Sequence, residues 1–213
     1  AGIFIFNNSN LYLDAVHIKD FTFLGVRCQN SKLVASNIAS GISCESSVAD
    51  PSYGSDPRVF VITNSDVQAL LSKPYGYIIR GTLPYANDYK LFSIENSNVM
   101  AIDFDRFSMN NWANIIDITN SVVGYKGIKG LSSGFIPIKV TKCSNFFRWD
   151  AESAVSNYIN YANISIEKMS RSHIGDFSNG NLSVSLGGQV RVDTISNVSL
   201  TQTENTITHH GII

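Results

Sequence analysis

A short phrase that keeps returning constrains this chain more than any other feature. It reads Asn8-Ser9-Asn10-Leu11, Asn30-Ser31-Lys32-Leu33, Asn64-Ser65-Asp66-Val67, Asn96-Ser97-Asn98-Val99 and Asn120-Ser121-Val122-Val123, with a looser copy at Cys143-Ser144-Asn145-Phe146. Successive starts are offset by 22, 34, 32, 24 and 23. One unit of roughly 23 residues therefore recurs, and two copies carry inserted loops. The insertions are legible as Ser46 to Asp56 and Ser72 to Asp88, the second holding Pro74, Gly76, Gly81 and Pro84.

Each unit has the form turn, short apolar strand, turn, strand. A unit this small cannot bury its own apolar face, whereas stacked copies bury a continuous core. Each Asn-Ser is then expected at the same corner of successive coils, because Asn tolerates left-handed backbone angles and its amide can bond to the copies above and below. About seven to nine coils at roughly 4.8 Å per rung make a rod of about 35–45 Å.

Composition supports that reading. Charged residues are only 15% of the 213, with 16 Lys+Arg against 17 Asp+Glu and a net charge of −1. This balance excludes a coiled coil, an acidic tail or an electrostatic nucleic-acid binder. The 21 Asn and 28 Ser that take the place of charge suit a chain rich in turns. Cys28, Cys44 and Cys143 form no CxxC pair and no Cys/His cluster, which argues against a disulfide scaffold or a structural zinc. No apolar stretch reaches the roughly 18 residues of a membrane helix. The chain opens directly in an apolar run, Ile3 to Phe6, as a piece of a longer polypeptide would.

Periodicity is that of strands: Arg58 to Ile62, Tyr77 to Arg80, Asn114 to Ile118 and Phe135 to Val140 are rich in Ile, Val and Phe. The best helical candidate is the short run Ala151 to Ala162. From Asn181 onward Leu182, Val184 and Leu186 alternate with polar residues up to Gly187-Gly188, and Val190 and Val192 follow, which reads as an antiparallel hairpin. The expected organisation is therefore a solenoid over residues 1–175 and a C-terminal antiparallel β segment, a cap or trimerisation element, over 176–213.

Low charge, abundant Asn and Ser, Asn-Ser corners at coil spacing and long polar insertions resemble the right-handed parallel β-helix of bacteriophage tailspike and tail-fibre proteins. The resemblance covers about residues 3 to 175, and pectate-lyase-like enzymes share the coil. It implies an all-β, trimeric architecture: a homotrimer on the virion, outside the cell, that binds and usually cleaves capsular polysaccharide or O-antigen of the host. A non-enzymatic structural or adhesive shaft, of a virion or a secreted adhesin, is the alternative. No cofactor, metal, nucleic acid or membrane is expected.

Alternation places Asp103 and Asp105 outward, with Ile102 and Phe104 inward. Counting along the repeat aligns Asp103 with Gly127 and Asp150, and Asp105 with Lys129 and Glu152. Carboxylates two rungs apart would be separated by about 9.6 Å, at the upper edge of the range for inverting glycoside hydrolysis. Asp103, Asp105, Asp150 and Glu152 are the catalytic candidates, against the plainer reading of solubilising charges. Trp112, Tyr125 and Trp149, with Arg106 and Arg148, are the carbohydrate-binding candidates, and core packing is the competing account of the aromatics. The Tyr-rich insertion (Tyr75, Tyr77, Tyr85, Tyr89) reads as a groove wall or subunit contact, and His209-His210 as exposed polar sequence.

Overall fold

The computed structural model describes residues 4–13, 16–19, 26–35, 42–45, 58–73, 90–105, 115–130, 132, 135–149, 158–203 and 207–209. These are all-β, with no helix among the described residues. In chain order the strands are β1 (Phe4–Asn7), β2 (Asn10–Leu13), β3 (Val16–Lys19), β4 (Val26–Gln29), β5 (Lys32–Ala35), β6 (Ile42–Glu45), β7 (Arg58–Thr63), β8 (Asp66–Lys73) and β9 (Lys90–Glu95). They continue as β10 (Asn98–Asp105), β11 (Ile115–Thr119), β12 (Val122–Lys129), β13 (Ile136–Thr141), β14 (Asn145–Arg148), β15 (Tyr158–Ile166), β16 (Arg171–Val184), β17 (Gln189–Gln202) and β18 (Ile207–His209).

Every pairing is parallel, and the pairings resolve into three stacked columns, the arrangement of a β-solenoid. Column A precedes the Asn-Ser corner and runs through Phe4, Val26, Phe60, Phe92, Ile116, Ile138, Ile164, Leu182 and Leu200 in register. Column B follows the corner through Leu11, Leu33, Val67, Val99, Val123, Phe146, Ser172, Val190 and Ile207. Column C closes the coil, with Ile128, Ile159, Phe177 and Ile195 in line. The column A ladder has nine rungs, so its eight steps of about 4.8 Å span roughly 38 Å. The inward positions are apolar because alternate residues of a strand share one face. Phe60 and Phe92, both fully buried, stack with centroids 4.9 Å apart and planes 6° apart.

Coil length varies along the rod. Successive column A rungs are offset in sequence by 22, 34, 32, 24, 22, 26, 18 and 18. The bare coil is thus 18 residues, as the spacing of Asn181 from Asn163 shows. The longer unit of the sequence is this coil with short additions. All additions longer than one residue enter between columns B and C or between C and A. From a column A rung to the column B rung that follows it, the chain advances seven residues in the first five coils and eight in the next three, Ile138 to Phe146, Ile164 to Ser172 and Leu182 to Val190. That extra residue is why the sixth copy of the phrase is loose.

Two expectations are corrected. The C-terminal segment is not an antiparallel hairpin: β16 and β17 pair in parallel from Arg171↔Gln189 to Val184↔Gln202, and Gly187-Gly188 is a coil corner. Alternation around a Gly-Gly records only that one face is buried, and a bare coil has the same alternation as a hairpin. β16 itself runs across residues 175 and 176 without a break. The helical candidate is corrected over Tyr158 to Ala162, which belong to β15; β-branched neighbours and ladder partners on both sides outweigh a weak helical preference. Residues 151–157 lie outside the described residues, as do the expected strand Tyr77 to Arg80, the insertion Ser46 to Asp56 and all of the insertion Ser72 to Asp88 except Ser72 and Lys73, which belong to β8.

The A-to-B corner is held by serine. The backbone N–H of Ser9, Ser31, Ser65, Ser97, Ser121 and Ser144 each donates to the hydroxyl of the serine one coil on, at 3.0–3.2 Å, ending at Ser170. Each hydroxyl from Ser9 to Ser121 in turn donates to the carbonyl two residues before it, at 2.7–2.9 Å. From Ser31 onward these serines are buried. The ladder ends where Gly188 occupies the serine position, and the Ser170 N–H turns to the Glu167 carbonyl at 3.3 Å. Ser97→Ala removes the acceptor for the buried Ser65 N–H, which costs about 1–3 kcal/mol; a lowered urea midpoint at constant m is expected, and an unchanged midpoint would show that the ladder adds nothing. Ser172 is the converse: it sits in the core ladder between Phe146 and Val190, and its buried hydroxyl has no partner among the described residues. Ser172→Ala is therefore expected to hold or raise stability, by up to about 1 kcal/mol, in the same titration.

Candidate functional site

The residue before each corner serine adopts a left-handed conformation, with φ of 52° at Asn8, 48° at Asn30, 49° at Asn64 and Asn96 and 46° at Asn120. Asn bears this angle at less cost than other side-chain residues because its short amide bonds locally. Stacking then turns the conformational choice into a ladder. Asn64 Nδ2 donates to Asn30 Oδ1 at 3.0 Å, Asn96 to Asn64 at 3.2 Å and Asn120 to Asn96 at 2.8 Å. A second amide stack stands on the corner between columns C and A, where Asn197 donates to Asn179 at 2.7 Å and Asn179 to Asn160 at 3.0 Å.

The first stack lines an open groove of 640 Å³ along the solenoid axis. One wall is the corner itself; the other is the outward row at the start of column B, Asn10, Lys32, Asp66, Asn98 and Val122. A carboxamide has two N–H donors and two acceptor lone pairs, and an interior rung of the ladder uses one of each. Every such rung leaves one donor and one acceptor for a bound molecule.

Of the carboxylates singled out in the sequence, Asp103 and Asp105 fall among the described residues. Asp103 does align with Gly127, and Asp105 with Lys129, as the repeat count has it. One rung further the partners are Tyr158 and Asn160, because eight residues are inserted before column C in that coil. Asp150 and Glu152, expected at those rungs, lie outside the described residues. Asp103 is half-buried on its strand, and Gly127 leaves room beside it: a methyl there would stand 3.2 Å from Asp103 Oδ1.

Of the aromatic and basic candidates, Trp112 and Arg106 lie outside the described residues, as do the four tyrosines of the insertion, His210 and Asn110, Asn111 and Asn114. Tyr125, expected to point outward, is fully buried; its ring stacks on Phe146 at 4.9 Å and its hydroxyl accepts the Gly175 N–H at 2.8 Å. A register irregularity between Val99 and Asp103 turns it inward. Burial pushes the phenol well above its usual range, the Gly175 bond pulling weakly the other way. Trp149 is half-buried on the outer side, its Cβ 3.3 Å from where a Gly124 side chain would begin, and the Met100 carbonyl bars any residue but glycine there.

Arg148 is engaged in a cluster that the sequence pattern does not single out. Its Nη1 donates to Asp193 Oδ2 at 2.6 Å, His173 Nε2 lies 3.0 Å from Asp193 Oδ1 and Arg191 Nε 3.3 Å from the same oxygen. An ionised carboxylate only accepts, so the histidine carries its proton on Nε2. Partial burial alone would raise the Asp193 carboxyl; the His173 hydrogen bond and the charges of His173, Arg148 and Arg191 outweigh it and hold the group below its ordinary value. His173 and Arg191 are rung partners one bare coil apart. Reading that shorter period is the signal that finds them. A group lowered in the fold adds stability that is complete above the unfolded value and lost as pH falls through the folded one. The denaturation midpoint of the native chain is therefore expected to drop more steeply below about pH 4 than that of Asp193→Asn; parallel profiles would remove the ion cluster from the acid response.

Among the described residues no group of three or more His, Cys, Asp or Glu is placed to hold a metal, and Cys28 (buried) and Cys143 (exposed) are free thiols. Protein-family models, curated proteins and solved structures contain no match to the chain.

Proposed function

We propose that the chain is a section of an extracellular spike or fibre of the kind carried on bacteriophage tails, wound as a right-handed parallel β-helix, associated as a homotrimer, and binding a bacterial surface polysaccharide along its flank. The observation that carries this reading is the amide-lined groove. Planar carboxamides repeated at the rung spacing offer alternating donors and acceptors, which suit a polymer of sugar hydroxyls, and the ladder has already fixed their orientation. Binding ranks ahead of cleavage because the ladders set Tyr158 and Asn160, not carboxylates, two rungs from the expected acids' first members. For depolymerisation the residues to substitute remain Asp103, Asp105, Asp150 and Glu152.

A second reading, a shaft without a ligand, draws on residues 158–203. There the coils run at their bare length with nothing inserted and with amide ladders on the corner, a plan suited to stiffness. A panel of purified capsule and O-antigen polymers separates the two. Saturable binding to one or more is expected, weakened about tenfold in the Asn64→Gly, Asn96→Gly double variant, which keeps the backbone angle and removes two amides. Binding to none leaves the shaft; new reducing ends during incubation would promote the enzyme. A solution mass near three times the 23.4 kDa chain is expected for the trimer, and one near a single chain sinks it.

A further inference from the structure

Beyond the C-terminal end of the groove, which Val122 and Cys143 mark, the same corner and outward row continue with a different chemistry. The outward row Asn98, Val122 continues as Asn145, Arg171 and Gln189. The corner stack continues past Asn120 as Lys142-Cys143 and Lys168-Met169, each pair in left-handed conformation, with φ of 55° and 60° and then 53° and 60°. Lys142, Lys168 and Arg171 are all exposed, and the Cys143 N–H donates to the Lys168 carbonyl at 2.9 Å, which places the two lysines one rung apart. The nearest carboxylate on that corner, Glu167, is bound to Lys139 at 3.5 Å. In the next outward row stand His173 and Arg191, whose neighbour Asp193 also takes Arg148.

We infer that this cationic continuation of the groove takes the acid groups of a carboxylate-bearing polysaccharide, with Lys142, Lys168 and Arg171 as the contacts. The inference rests on the polysaccharide-binding reading and names its substrate class. Lys142 and Lys168 stand one rung apart, roughly 4.8 Å, and Arg171 shares the rung of Lys168. A glycan with spaced acid groups matches that density; duplex DNA, with a charge about every 1.7 Å, calls for far more. Upstream amides would hold neutral sugars of the same chain, so that one polymer lies along the axis over both stretches. Exposed charges of this kind set encounter rate and selectivity more than final affinity.

The test compares polygalacturonate with the same polymer after carboxyl reduction, in dilute buffer and in added salt. The native chain is expected to bind the acidic form about tenfold more tightly, the preference shrinking as salt screens it. Lys168→Glu with Arg171→Glu should abolish the preference while far-UV circular dichroism and the melting midpoint stay put. Lys142→Gln with Lys168→Gln repeats the test without charge reversal, and a full preference in both variants overturns the assignment. Equal affinity for the two polymers overturns the charge reading and leaves polysaccharide binding standing, whereas binding to neither overturns this inference and the capsule panel decides the other separately. Duplex DNA bound as tightly as polygalacturonate would mean a general polyanion surface and would also overturn it.

Discussion

The coils up to Ser170 are closed at one corner by a serine hydroxyl that accepts from the backbone of the coil before it, and from Ser31 to Ser121 that hydroxyl donates within its own coil. A buried backbone N–H without a partner is expensive, and at a tight corner neither column A nor column B can supply one. The serine ladder meets that need for the N–H of every corner serine from Ser9 to Ser144. It also sets register, since a slip by one residue would turn the apolar ladders outward and leave the corner N–H groups unpaired. The asparagine beside it contributes the left-handed turn that brings the serine into line.

Freedom elsewhere follows from strictness here. The A-to-B corner never takes more than one extra residue in the described coils, while coil lengths from 18 to 34 residues are absorbed at the other two corners. Stacking the same residue types in line then produces surfaces that no single coil has. Asparagines become a rail of hydrogen-bonding groups along one groove, and lysines at the equivalent corner positions of later coils change the sign of the partner it suits. Charge is scarce in the chain as a whole, and stacking sets three of its cations, Lys142, Lys168 and Arg171, on two adjacent coils.

The candidate site is only partly legible in the sequence. Asn-Ser corners can be read from spacing alone because every member is a short polar residue at one phase of the repeat. Asp103 opposite Gly127 and Asp105 opposite Lys129 follow from the same count. The count fails one coil later, where the corner gains a residue and eight more enter before column C, so that Tyr158 and Asn160 take the places expected of Asp150 and Glu152. Tyr125 escapes the pattern for a related reason: a local register shift reverses which residues face inward, and nothing in Gly124-Tyr125-Lys126 announces it. Arg148 stands out in the sequence, but its partner Asp193 lies two coils on, in a segment whose alternation reads as a hairpin.

By itself the sequence determined an all-β chain of stacked units, the corner residues, the apolar ladders and the scarcity of charge. Those depend on local chemistry, on the left-handed tolerance of Asn, the small hydroxyl of Ser and the alternation of strand faces, all of which recur in phase. Only the tertiary structure decided that the last strands pair in parallel, how short the bare coil is, and which charges meet across the rungs. Those depend on which strand lies alongside which. Alternation is identical for parallel and antiparallel partners, and an insertion shifts every later residue against its neighbour without changing the local pattern at all.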